Sequence, residues 1–262
     1  MSPQIQANEI SMAYSLDGPE DAPVVMFSTS LMCDHRMWEK QASALVPSYR
    51  VLRYDTRGHG GSEATSGEYT MDLLADDAAS LLKALGIERV HFVGLSLGGF
   101  IGQALTLRHP DIVASLVLCD TACHMPPESM WDDRVGLMRS KGVEPFAEIM
   151  VDRWFTEKFR ETSPHELEPV KAMIRATSAD GFVGCCHAAK NMNFASALGG
   201  ITKPTLVVVG EHDPGTPVSA ARVLHEGIKG SELCIIDDAA HLTNIEKPDE
   251  FNAALTKFLW RH

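Results

Sequence analysis

The segment Val90-His-Phe-Val-Gly94-Leu95-Ser96-Leu97-Gly98-Gly99 constrains this chain more than any other. It reads as a short β-branched and aromatic strand followed at once by a helix, with G-x-S-x-G at the junction. A serine in that place sits on a sharp, strained turn that lifts its hydroxyl above the edge of a sheet, and glycines two residues to either side leave room for the turn. The following helix would aim its free N–H groups and positive dipole end at any oxyanion forming beside the serine. Ser96 is therefore the candidate nucleophile, and the Leu97 N–H is a candidate oxyanion donor. The plainer alternative is a Gly-rich strand-to-helix turn with an incidental serine.

Such a turn belongs in a parallel sheet, and the rest of the chain alternates accordingly. Short apolar runs at 24–27, 50–54, 90–93, 112–119, 205–209 and 233–236 read as buried strands, while 37–45, 69–85, 97–108, 219–228 and 248–260 carry helical spacing. The opening stretch 5–16 reads as antiparallel strands ending at Asp17-Gly18. Strands alternating with helices predict an α/β fold, a mostly parallel sheet covered on both faces. The alternation fails between Asp120 and Ala195, where the sequence turns helical. We expect a core domain of residues 1–120 and 196–262, with a helical cap of residues 121–195 inserted after the sixth main strand.

A serine nucleophile on this scaffold needs an acid after a later strand and a histidine after the last one. The run 205–209 leads into Gly210-Glu211-His212-Asp213, and the run 233–236 leads to His241. Of eleven histidines, only His241 and the chain-terminal His262 follow the last strand, and His241 stands directly after it, which makes it the candidate base. Asp213 is favoured as the acid over Glu211 by position, and over Asp120, which ends the sixth strand. It would accept the second imidazole N–H and fix the tautomer without taking the proton. The second oxyanion N–H normally comes from the loop after the third strand, here Ser28-Thr29-Ser30-Leu31-Met32, so Leu31 is the candidate by position.

A formal charge of -12 offers no basic face to nucleic acid and would be repelled by anionic lipid, which points to a small-molecule partner. An anionic substrate would need a local cationic pocket in such a protein. The first nine residues are polar, and no apolar run approaches the ~20 residues needed to span a bilayer, so the expectation is a cytoplasmic protein. The six cysteines lack metal-ligand spacing and read as reduced, buried thiols. No metal, nucleotide or organic cofactor is required by serine-based acyl transfer. A homo-oligomer is compatible with the sequence.

The chain resembles the α/β-hydrolase superfamily over its whole length, and within it the 3-oxoadipate enol-lactonases of aromatic catabolism. The resemblance is carried by Arg50-Val-Leu-Arg-Tyr-Asp-Thr-Arg-Gly-His-Gly60 with Ser62, by the Ser96 segment, by Ser30-Leu31 with Met37-Trp38, and by Ala240-His-Leu-Thr-Asn-Ile-Glu246. It extends into the insertion at Trp131, Arg134, Arg153-Trp154-Phe155 and Gly184-Cys185-Cys186. It implies a mostly parallel eight-stranded sheet flanked by helices, and a triad of Ser96, Asp213 and His241 with the Leu31 and Leu97 N–H groups as oxyanion hole. The implied reaction opens a small anionic enol-lactone, with Arg134 or Arg153 pairing the free carboxylate and Trp131 and Trp154 forming apolar walls. Two departures stand out: Met32 where the family has glycine, which would narrow the pocket, and Asn191 and Asn193 where it has an acid. A general carboxylesterase or a C–C bond hydrolase would use the same triad, and a ligand receptor could keep the scaffold. A serine nucleophile argues against dehalogenases and epoxide hydrolases, which need a carboxylate there.

Overall fold

The computed structural model describes residues 2–262; Met1, the first residue of the polar start, lies outside them. Eight strands form one sheet: β1 (Gln4–Ala7), β2 (Ile10–Asp17), β3 (Val24–Ser28), β4 (Arg50–Tyr54), β5 (Val90–Leu95), β6 (Val113–Cys119), β7 (Thr205–Gly210) and β8 (Glu232–Ile236). Their order is β1-β2-β4-β3-β5-β6-β7-β8. The β1–β2 and β2–β4 pairs are antiparallel, and the pairs from β4 to β8 are parallel.

Burial follows the sequence pattern. Every residue of β5 and of β7 is buried, as interior strands of a sheet covered on both faces must be. The helices α1 (Glu39–Leu45), α2 (Met71–Ala84) and α3 (Leu97–Arg108) cover the sheet in the first half of the chain. Residues 35–38 form a 3₁₀ turn ahead of α1 instead of extending it, because the Asp34 carboxylate accepts the Arg36 N–H at 3.0 Å and starts a tighter turn there. Trp38 on that turn is fully buried between Phe27 of β3 and Phe251, with ring centroids 4.7 and 6.0 Å away.

Between β6 and β7 the chain runs through five helices, α4 (Glu128–Lys141), α5 (Glu144–Trp154), α6 (Glu157–Thr162), α7 (Pro164–Arg175) and α8 (Ala179–Lys190). The neck of this helical insertion is closed by an antiparallel bridge between His124 and Asn193. The remaining helices are α9 (Val218–Gly227), α10 (Thr243–Glu246) and α11 (Pro248–Leu259). Among the described residues no helix is long and apolar enough to cross a membrane. All six cysteines are free, five buried and Cys234 half-buried.

The strand order dictates where a site can form. From β3 the chain moves to β4 on one side and then returns to β5 on the other, so the loops leaving β3 and β5 diverge over opposite faces. The crevice opens at the carboxyl ends of these strands, the usual ligand position in such sheets. The loop after β3 carries Leu31 and Met32, and the turn after β5 carries Ser96.

Candidate active site

Ser96 joins β5 to α3 with φ 54° and ψ -110°, a conformation that side-chain-bearing residues rarely adopt. The turn is held from several sides. The Ser96 N–H donates to the Cys119 carbonyl at 2.9 Å, and the Ser96 carbonyl accepts the Thr121 hydroxyl at 2.8 Å. The flanking glycines are steric necessities: a Cβ on Gly94 would stand 2.1 Å from the Gly98 carbonyl oxygen, and one on Gly98 would stand 2.3 Å from that of Ser28. Removing both side chains lets α3 start hard against the end of β3, and the Gly98 N–H then donates to the Thr29 carbonyl at 3.0 Å. The candidate nucleophile and the candidate oxyanion loop are therefore built as one unit.

Leu31 and Met32 occupy the middle of a turn closed by the Cys33 N–H on the Ser30 carbonyl at 3.1 Å. Met32 takes φ 64°, the left-handed value a turn of this kind reserves for its third residue, and it is fully buried. The glycine expected from the resemblance would fit that backbone without strain. Among the described residues, neither the Leu31 N–H nor the Leu97 N–H donates to another group of the protein, which leaves both free for a ligand.

Of the three candidate acids, Asp213 is the one beside His241, with Oδ2 2.7 Å from Nδ1. The carboxylate can only accept, so Nδ1 carries the proton and Nε2 is left as the basic nitrogen. Asp213 also accepts the Thr216 hydroxyl at 2.6 Å and the N–H groups of Gly215 and Thr216 at 2.8 and 3.0 Å. Burial raises its pKa, but the His241 charge and hydrogen bond and the Thr216 donors outweigh that and hold Asp213 at about 2. Glu211 is exposed and accepts the Asp238 N–H. Asp120 is fully buried and bound away from the imidazole, accepting the Gly210 N–H at 2.9 Å and the Thr243 hydroxyl. Burial, and then the charge of Asp213, push the Asp120 carboxyl well above the ordinary range.

Ser96, Asp213, His241, Leu31, Leu97, Met32, Trp131, Trp154, Arg134 and Arg153 all line one cavity between the sheet edge and the helical insertion. Phe100, Met125 and Met150 add further apolar walls that no motif in the sequence marks. Trp154 stacks near the imidazole of His241, with centroids 6.3 Å apart and planes inclined by 27°. The Arg134 guanidinium lies over the Trp131 ring at 4.8 Å. Asn191 and Asn193 are exposed outside the cavity; Asn193 uses its side chain to accept the Ala195 N–H at 3.1 Å.

Two of the insertion's unpaired arginines line the cavity. Arg160 is paired with Asp152 and Arg175 with Glu144, whereas among the described residues Arg134 and Arg153 have no carboxylate within ion-pair distance. Burial lowers the pKa of Arg134; the adjacent Cys186 offsets this slightly, and repulsion from Arg153 adds to it. In a chain of net charge -12, two unneutralised guanidinium groups have been left facing one apolar cavity.

A buried, aspartate-braced histidine and a strained serine at the carboxyl edge of this sheet define the class, and the chain belongs to the α/β-hydrolase family: it is a hydrolase. Residues 23–141 match the family described as the alpha/beta hydrolase fold, and residues 173–261 match the one described as TAP-like protein. The sequence is 34% identical to 3-oxoadipate enol-lactonase 2 of Acinetobacter baylyi, over 98% of this chain and 96% of that protein. It is 31% identical to a protein named for carbamate hydrolysis, RutD of Agrobacterium fabrum, over 95% of this chain and 98% of that one. The crystal structure of the enol-lactonase from Burkholderia xenovorans LB400 superposes with a TM-score of 0.96 at 36% identity, covering 98% of this chain and all of that one.

Proposed function

We propose that this hydrolase opens a small carboxylate-bearing lactone through an acyl-enzyme, and that its substrate is 3-oxoadipate enol-lactone. The observation that carries the reading is the pair of unneutralised arginines over a serine-histidine-aspartate set, since a guanidinium fork matches a carboxylate bidentately. The naming of the relatives agrees with it. Ser96 Oγ attacks the ring carbonyl and passes its proton to His241 Nε2, while Asp213 stabilises the imidazolium. The N–H groups of Leu31 and Leu97 hold the tetrahedral oxyanion, each worth ~10²–10³ in turnover. The C–O bond breaks to release an enolate, which takes a proton and becomes the ketone. His241 then activates water against the acyl-enzyme, so hydrolysis creates a second carboxylate beside Ser96. Trp131, Trp154 and Met32 exclude bulk water and limit the size of the ring.

The apolar lining by Phe100, Met125 and Met150 favours a second reading, a general carboxylesterase acting on neutral esters. The test is kcat/KM for 3-oxoadipate enol-lactone against p-nitrophenyl acetate and a vinylogous diketone. Preferential turnover of the enol-lactone is expected. Faster turnover of the simple ester would sink the substrate assignment and leave the esterase.

A further inference from the structure

The base of this site is held by the helical insertion as well as by the sheet. Trp154, the last residue of α5, uses its carbonyl to accept the backbone N–H groups of both His241 and Leu242, at 3.0 and 3.1 Å. Two residues on, Thr156 donates its N–H at 3.1 Å and its hydroxyl at 2.5 Å to Oε1 of Glu246. The other oxygen of that carboxylate, Oε2, accepts the N–H of Ala240 at 2.9 Å. Ala240 directly precedes His241. Residues 154–156 of the insertion and 240–246 of the core are thus laced together around the imidazole, and Glu246 is the one side chain that grips both.

Glu246 is buried and, among the described residues, has no cation within ion-pair distance. A buried carboxylate balanced only by neutral donors is a costly way to join two segments, because desolvating the charge must be offset by those donors alone. What it gains is geometry: one rigid group accepting three convergent donors fixes the distance between Thr156 and Ala240. Neither amide orientation of glutamine reproduces this. With its oxygen toward Thr156, the NH₂ group meets the Ala240 N–H. With its oxygen toward Ala240, the NH₂ group meets the Thr156 N–H, while the Thr156 hydroxyl is already accepting from Phe159 N–H at 3.2 Å.

We propose that Glu246 is a positioning residue for His241, acting through Ala240 and Thr156, so that the insertion sets the register of the base against Ser96. The proposal rests on the assignment of Ser96 and His241 above. Arg153 stands immediately before Trp154, so a ligand carboxylate held by Arg153 is one residue from the carbonyl that holds the base. Displacing a reacting group by ~1 Å can cost 10²-fold in rate, and a partial loosening of the clasp should cost about tenfold.

The experiment compares wild type with Glu246→Gln, Glu246→Asp and Thr156→Val, well below each melting temperature. The readouts are the rate of fluorophosphonate labelling at Ser96 and kcat and KM on p-nitrophenyl acetate, neither of which depends on recognition of a lactone or a carboxylate. E246Q is expected to lower kcat and labelling about tenfold with KM within about twofold, E246D to recover part of the loss, and T156V to lose about threefold. Full kcat and labelling in E246Q, with only its melting temperature lowered, overturns the proposal. Should E246Q not fold, T156V decides: full labelling and kcat in that variant overturn it. A wild type that does not label at Ser96 refutes the site assignment instead, and the clasp falls with it.

Discussion

Replacing Arg134 with methionine separates what this residue does for the fold from what it does for a substrate. Within the protein its charge is unfavourable: it is desolvated, repelled by Arg153 and faces no carboxylate. Its compensation is the Trp131 face at 4.8 Å, worth about 0.5–2 kcal/mol for a cation over an aromatic ring. Methionine fills a similar volume and keeps apolar contact with Trp131, and apolar replacement of poorly compensated buried charge is commonly neutral or stabilising by about 1–4 kcal/mol. Net of the lost cation–π contact, R134M should be more stable by about 1 kcal/mol, a rise of about 2–4 °C in Tm for a chain of this size. A bound carboxylate reverses the balance. Hydrogen bonds to a charged group are each worth about 1.5–3 kcal/mol, and at about 1.4 kcal/mol per decade the variant should raise KM for a carboxylate-bearing lactone by about 100-fold. Hydrolysis of p-nitrophenyl acetate should stay within about twofold, because Ser96, His241 and the Leu31 and Leu97 N–H groups are untouched. Calorimetry and steady-state kinetics on the same preparation check both halves. A lower Tm would show that Arg134 is a structural cation with a partner, and an equal loss on the neutral ester would show that it shapes the pocket without reading charge.

Three further outcomes follow from the same geometry. Ser96→Gly should abolish esterase activity yet raise the urea midpoint, since a side chain at φ 54° and ψ -110° stores about 1–3 kcal/mol, and an unchanged or lower midpoint would refute the strain. Met32→Gly relieves a left-handed φ of 64° worth about 1–2 kcal/mol but empties a fully buried side-chain site worth about 2–5 kcal/mol, so it should destabilise by about 2 kcal/mol while admitting bulkier lactones. A stable M32G with unchanged substrate range would remove Met32 from the specificity argument. For Asp120 the folded pKa lies above the unfolded value, so folding is favoured with the proton on and loses stability as pH rises from about 4 toward the folded pKa. Asp120→Asn cannot ionise, so denaturant titrations should show its stability gaining on wild type between pH 4.5 and pH 8, and a pH-independent difference would contradict a buried, proton-holding carboxyl.

The sheet was legible because its two signals are local. Runs such as 206–209 are apolar throughout, as a strand covered on both faces must be, and the order of serine, acid and histidine along the chain follows from which strand ends lie over the crevice. Chain position alone favours Asp213 over Asp120; in the structure Asp120 is tied to Gly210 and Thr243, which join β6, β7 and the base loop, while Asp213 faces the imidazole. The insertion was harder. Arg134 and Arg153 sit on different helices, and nothing in their spacing says that one is desolvated, that the other is exposed, or that both lack a carboxylate. Trp154 is legible in the sequence as a candidate aromatic wall, yet its backbone carbonyl also holds His241, and a carbonyl leaves no mark in a sequence. Glu246 lay in view within the Ala240–Glu246 segment, but its partner Thr156 is ninety positions away and on the other side of the crevice. Backbone carbonyls and a single buried carboxylate therefore carry the junction between insertion and base, and these are the features that sequence spacing does not encode. It follows that transplanting the side chains of this cavity onto a relative should transfer its apolar lining and its arginines, whereas the alignment of His241 will transfer only if residues 154–156 and 240–246 move together.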